Sequence, residues 1–255
     1  QSSSVQSPPY NHPMTLRALI FDVDGTLAET EELHRRAFNE TFREAELSWE
    51  WDRALYAALL KATGGRERIL HYMKEFKVGP THWAEATTLA GFLHKEKSSL
   101  YRKLLAGEKL APRAGVRRLI DEARAEKIKL AVATTTGRDT TLAVLKNLFG
   151  EDGPRWFAVL ATAEDTRTKK PDPEIYRVAL RRLELSAATC MAIEDSEIGL
   201  KAARGAGVGT VIAPSSYTGG DDFSGALAVI SDLATGETGE PVTLAQLNEW
   251  LIQRG

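Results

Sequence analysis

Apolar positions fall into two patterns along the chain. Five short runs, at residues 18–21, 129–133, 158–161, 191–193 and 210–212, are apolar at nearly every position. Runs this short, without polar alternation, predict strands buried on both faces. Most are followed by polar residues, a Gly or Pro, and then a helical period, as at residues 116–126, 173–183 and 198–205. Strands alternating with helices predict an α/β fold built on a doubly wound parallel sheet.

The second pattern occupies the long interval between the first two runs. Residues 30–108 contain no convincing strand; instead Leu33, Phe38 and Phe42, and then Leu55, Leu59 and Leu60, recur with a helical period. The interval is too long and too patterned for a loop, so it predicts a small all-helical cap domain inserted after the first strand. An insertion there lies over the strand ends at which α/β sheets bind ligands. The core domain is then residues 14–29 and 109–255, with Pro112 and Gly115 marking the return to it. Residues 1–13 are rich in Ser and Pro, and the first acidic residue of the chain is Asp22. They predict a disordered tail, with the composition of a transit-peptide end and equally of a remnant of expression.

Composition narrows the function classes. Of the 255 residues, 43% are hydrophobic and 27% charged, ordinary for a globular enzyme. A net charge of -2 gives no basic field for nucleic acid. No apolar run approaches the ~18 residues of a membrane span. The single cysteine, Cys190, excludes a disulfide framework and a thiolate zinc site, which fits a reducing compartment. A soluble monomer acting on a small molecule is expected.

Candidate chemistry clusters where the strands end. The first run leads into Asp22-Val23-Asp24-Gly25-Thr26. An extended backbone sends two such carboxylates to opposite faces, so the turn at Gly25 must re-aim one. One aspartate can then attack phosphorus, while the other protonates the leaving alcohol and later deprotonates water. After the second run, Thr134, Thr135 and Thr136 offer hydroxyls and amides to phosphoryl oxygens. Lys170, followed by Pro171, can neutralise charge on a phosphate and a nucleophile. Glu194 and Asp195, after the fourth run, are hard oxygen ligands of the kind Mg²⁺ prefers, whereas Ser196 suits a helix cap. Asp22, Asp24, Glu194 and Asp195 against Lys170 leave an excess of negative charge. One Mg²⁺ and a proton on Asp24 would cancel it.

These residues resemble the haloacid dehalogenase-like hydrolase superfamily, whose four motifs they match in order over nearly all of the chain after Met14. The resemblance implies Asp22 as nucleophile, Asp24 as acid/base, and Thr134 and Lys170 as phosphate holders. It implies Mg²⁺ held by Asp22, Glu194, Asp195 and the backbone carbonyl of Asp24. Within the superfamily the chain is most similar to CbbY-type sugar-phosphate phosphatases, with β-phosphoglucomutase a near relative. The similarity is carried by Ala28-Glu29-Thr30-Glu31-Glu32-Leu33-His34-Arg35, Thr63-Gly64-Gly65-Arg66-Glu67-Arg68 and Ala131-Val132-Ala133-Thr134-Thr135-Thr136. CbbY-type enzymes are associated with removing the 1-phosphate of xylulose 1,5-bisphosphate, a Rubisco inhibitor. That association, with the N-terminal composition, implies a chloroplast stroma location, or otherwise a cytoplasmic one.

Specificity is expected from the helical insertion. Glu31, His34, Arg35 and Phe38 share one helix face; Glu31 and His34 suit sugar hydroxyls, and Arg35 a second phosphate. Gly65, Arg66 and Arg68 can form a loop that grips the distal phosphate. Each of these also fits an ordinary amphipathic helix or a helix-breaking turn. Two other functions fit the same residues: a phosphomutase that returns the phosphate to a sugar, and an inactive relative that only binds a phosphorylated ligand.

Overall fold

The computed structural model describes residues 15–254, so the N-terminal tail lies outside the described residues. Six parallel strands form one sheet in the order β3-β2-β1-β4-β5-β6. They are β1 (Ala18–Phe21), β2 (Lys129–Ala133), β3 (Val159–Ala161), β4 (Cys190–Glu194), β5 (Gly209–Ile212) and β6 (Ala228–Val229). Five match the apolar runs within a residue at either end. The two-residue β6 lies within the apolar run 226–230, which the five-run pattern leaves out; it pairs with β5 at the sheet's edge.

Helices cover both faces, as a parallel sheet buried on both sides requires. One face carries large residues: Leu19, Phe21, Leu130, Val132, Met191, Ile193 and Val211 pack with α5 (Val116–Ala125), α6 (Arg138–Phe149) and α9 (Leu244–Gln253). The other face is mostly small, with Ala18, Ala131, Ala133, Ala161 and Ala192 beside Ile20 and Val159, against α7 (Glu174–Leu183) and α8 (Glu197–Gly205). Small residues let α7 lie close enough for Tyr176 to be wholly buried against the sheet.

Between β1 and α5 the chain is helical: α1 (Glu31–Glu44), α2 (Arg53–Leu59), α3 (Gly65–Phe76) and α4 (Trp83–Gly107). These helices close on their own aromatic cluster, with Phe38, Phe42, Trp51, Tyr56, Tyr72 and Leu93 at its centre. Trp49 and Trp51 belong to it, edge-on to Phe42 with ring centroids 5.4 and 4.9 Å away. The layer is not packed separately, however. Leu33 and Ala37 of α1, and Tyr101 and Leu105 of α4, belong to the sheet's cluster, while Phe38 and Leu93 of the same helices belong to the aromatic one. Among the described residues no helix is long and apolar enough to cross a membrane.

Candidate active site

Backbone hydrogen bonding brings the expected residues to one edge. Asp22 follows β1 directly, Thr134 follows β2 and Asp195 follows β4, while Glu194 is the last residue of β4. Strands in register at one edge therefore bring Asp22 beside Thr134, 112 positions later, and Asp195, 173 positions later. The turn after β1 re-aims the second aspartate. Gly25 has φ 86°, its amide donates to the Ala28 carbonyl at 2.9 Å, and Asp24 bridges to Ala28. A Cβ at Gly25 would also overlap the Asp195 carboxylate, so glycine is needed here for both backbone and space.

Lys170 links the two halves of the edge. Its Nζ donates to Asp22 Oδ1 and to Glu194 Oε1, each at 2.6 Å, and all three side chains are buried. The Tyr176 hydroxyl donates to the same Glu194 oxygen at 2.6 Å. Burial and the charge of Glu194 raise the Tyr176 phenol well above its ordinary value, so it stays an O–H donor. Burial would lower Lys170, but Asp22 and Glu194 outweigh it and hold the ammonium charged. Asp22 is pushed up to about 7, first by burial, which the charge of Lys170 only partly offsets, and further by Glu194 and Asp24. Asp195 rises well above the carboxylate range through burial and its neighbours Asp22 and Glu194.

This crowding suits a divalent cation. Asp22, Glu194 and Asp195 each offer a carboxylate oxygen within 4.8 Å of the others. Ionised together, three buried carboxylates would outweigh one ammonium, which is the charge a divalent cation offsets, and an all-oxygen set matches a hard ion such as Mg²⁺. Ser196 takes no part in the cluster: it caps α8, accepting the Gly199 amide at 3.1 Å.

Asp24 departs from the charge count drawn from sequence. Burial pushes its carboxyl up, but His34 and hydrogen bonds from His34, Thr136 and Thr30 outweigh this and take it below the ordinary range. Thr30 Oγ1 lies 2.6 Å from Oδ1, His34 Nε2 lies 2.9 Å from Oδ1, and Thr136 Oγ1 lies 2.5 Å from Oδ2. Asp24 is thus held as a carboxylate here, not as the protonated acid expected. Thr134 is buried, with its Oγ1 accepting the Thr136 amide at 3.1 Å.

The opposite wall comes from the helical layer. A cavity of about 830 Å³ lies between them, lined by Asp22, Asp24, Thr134, Thr135, Thr136 and Lys170 below and by Glu31, His34, Gly65, Arg68 and Lys97 above. The volume suits a small polar ligand. Glu31 accepts from the Tyr56 hydroxyl at 2.6 Å, and Arg68 donates to the same hydroxyl at 3.0 Å. Gly65 is held close by the His94 ring, which a Cβ would strike.

Two residues of the helical insertion are not where the sequence pattern put them, and a third, His34, reaches the cavity already engaged. Arg35 is turned from the cavity: Glu32 takes its Nε at 3.1 Å on each oxygen, and the Trp51 carbonyl takes Nη1 at 2.8 Å. An acid three residues earlier on the same helix captured the guanidinium. Arg66 is exposed and lies outside the cavity wall, because the first turn of α3 points it to solvent. His34 lines the cavity with both ring nitrogens engaged, Nε2 by Asp24 and Nδ1 by Lys97 at 2.6 Å, so it serves Asp24 ahead of a sugar hydroxyl.

Sequence reading missed Thr30, Lys97, Tyr101 and Tyr176. Thr30 had a signal, one helical turn before His34 on the same face. Lys97 had none: it lies 63 residues from His34, buried over the rings of Phe38 and Tyr101, and burial pulls it down to about 7. Tyr101 stacks on His34 with ring centroids 4.1 Å apart.

The chain is similar to known proteins over most of its length. The family model for haloacid dehalogenase-like hydrolases matches residues 16–207. Protein CbbY of Rhodobacter capsulatus is 44% identical over 225 residues, covering 88% of this chain and 97% of that protein. A CBBY-like protein of Arabidopsis thaliana is 38% identical, covering 83% of this chain and 67% of its own length. CbbY from Rhodobacter sphaeroides in complex with phosphate superposes with a TM-score of 0.80 at 42% identity, covering 85% of this chain and 94% of that one. A substituted form of that protein, in complex with Xylulose-(1,5)bisphosphate, gives a TM-score of 0.80 at 41% identity with the same coverage. The chain belongs to the haloacid dehalogenase-like hydrolases, in their CbbY group, and is a hydrolase of phosphoric monoesters.

Proposed function

We propose that this sugar-phosphate phosphatase is Mg²⁺-dependent and removes the 1-phosphate of xylulose 1,5-bisphosphate through an aspartyl phosphate on Asp22. The reading rests on one observation: Asp22, paired with Lys170 at 2.6 Å, faces the same cavity as Asp24 and Thr134. The substrate is supported by the bisphosphate complex of the CbbY relative. It is also supported by cationic groups on both cavity walls, Lys170 below and Lys61, Arg68 and Lys97 above. Two anionic ends need two such poles. Residues 30–108 act as a cap that excludes water while the phosphate is transferred.

In the proposed sequence an Asp22 carboxylate oxygen attacks phosphorus and the sugar–oxygen bond to phosphorus breaks. Asp24 hands the departing oxygen a proton. A phosphate dianion arriving beside Asp24 raises its proton affinity, and His34 Nε2, 2.9 Å away with Lys97 behind it, is a source within reach. Water then attacks the aspartyl phosphate, Asp24 takes its proton, and the bond from phosphorus to Asp22 breaks to release inorganic phosphate. Thr134 and Lys170 hold the phosphoryl oxygens throughout. Asp22, Glu194, Asp195 and the Asp24 carbonyl would hold Mg²⁺, which when bound masks negative charge on phosphate and nucleophile.

Phosphate release from a panel of sugar mono- and bisphosphates, with Mg²⁺ and with EDTA, tests this. Metal-dependent release that favours the pentulose bisphosphate is expected. Preference for another sugar removes the substrate assignment and keeps the mechanism. Interconversion of glucose phosphates without release replaces it with mutase chemistry, and binding without turnover with an inactive binder.

A further inference from the structure

Glu194 is the one acidic residue of the cation cluster that lies inside a strand, and it is 1% exposed. Its carboxylate is gripped on three sides. Lys170 Nζ and the Tyr176 hydroxyl both donate to Oε1 at 2.6 Å. On the third side the first turn of α8 passes so close that a Cβ on Gly199 would overlap both Glu194 oxygens. Lys170 alone cannot fix this carboxylate, because its ammonium is divided equally between Glu194 and Asp22. Once Asp22 carries a phosphoryl group its oxygen is esterified, and the ammonium is drawn toward the new anionic oxygens. The bond from Tyr176 does not depend on that change. Its ring is fully buried against the sheet face, so the hydroxyl has little freedom to leave.

We propose that Tyr176 is a positioning residue, whose hydroxyl orients Glu194 toward a divalent cation while Lys170 follows the changing charge on Asp22. The inference rests on the magnesium reading above and adds an outer partner to a metal ligand, a kind of contact that governs metal affinity. Tyr176→Phe removes the donor and keeps the ring; Gly199→Ala instead pushes Glu194 from its place.

The test is calorimetric titration of MgCl₂ into the full chain, with no substrate present, for wild type and both variants. Tyr176→Phe is expected to bind Mg²⁺ about 10-fold more weakly, and Gly199→Ala more weakly still. Thermal unfolding in EDTA, compared with wild type, checks that the variants are folded. In turnover assays, raising Mg²⁺ should restore Tyr176→Phe to near the wild-type rate, with substrate KM unchanged. Equal Mg²⁺ affinity in wild type and Tyr176→Phe overturns the proposal alone, and so does a turnover deficit that no Mg²⁺ concentration restores. Absence of Mg²⁺ binding to wild type overturns the proposal and the magnesium reading together.

Discussion

The two walls of the cavity are built by different means. The lower wall is a sheet edge, where backbone register alone sets Asp22, Thr134, Asp195 and Glu194 side by side. The upper wall is a layer of helices, where His34, Lys97, Arg68 and Glu31 meet only because the side chains beneath them pack in one way. Function on the lower wall is therefore exposed to single side-chain changes, and on the upper wall to changes in packing as well.

The sharpest way to test that contrast is Asp22→Asn, which removes the proposed nucleophile from the lower wall and leaves the fold intact. Phosphate release is expected to fall by on the order of 10⁴-fold or more, with thermal stability unchanged or raised, since a crowded buried charge is removed. A smaller effect is expected on the upper wall. Lys97→Met keeps the buried stem and removes the ammonium 2.6 Å from His34 Nδ1, so kcat should drop about 10–100-fold. The midpoint of thermal unfolding should hold or rise, because burial already disfavours that charge. A kcat equal to wild type would separate His34 and Lys97 from the proton path.

The smallest effect concerns His94, which lines the cavity beside Lys97 and Lys169. Burial and these two cations push it down to about 4. Its unfolded form binds a proton below about 6.5, its folded form only below about 4, so its contribution to stability is lost as pH falls through that window. Proton NMR of the imidazole should give a midpoint near 4, and a midpoint near 6.5 would show the upper wall wetter than its packing implies.

The same division decides what could be read in advance. Strand ends are legible because an apolar run and the polar residue after it adjoin in sequence, so Asp22, Thr134 and Asp195 can be expected at one sheet edge, where they lie. Lys170 is expected there from its motif, although nothing in sequence shows that one ammonium donates to both Asp22 and Glu194. Helix faces are legible only within a helix. That is how Glu31 and His34 were brought to the cavity, and why Arg35 was misplaced: the pattern gave its face but not the competing acid Glu32. Lys97 and Tyr176 meet His34 and Glu194 across separations that no periodicity spans.

One feature of the helical layer bears on how the protein comes apart. Helices α1 and α4 each set one stretch in the aromatic cluster and another in the core of the sheet. With 25 residues, α4 is a rod about 37 Å long, rooted at both ends in different apolar interiors. Neither interior can melt without stripping apolar surface from the other. Heat should therefore meet a single cooperative transition, in which the calorimetric and van't Hoff enthalpies coincide.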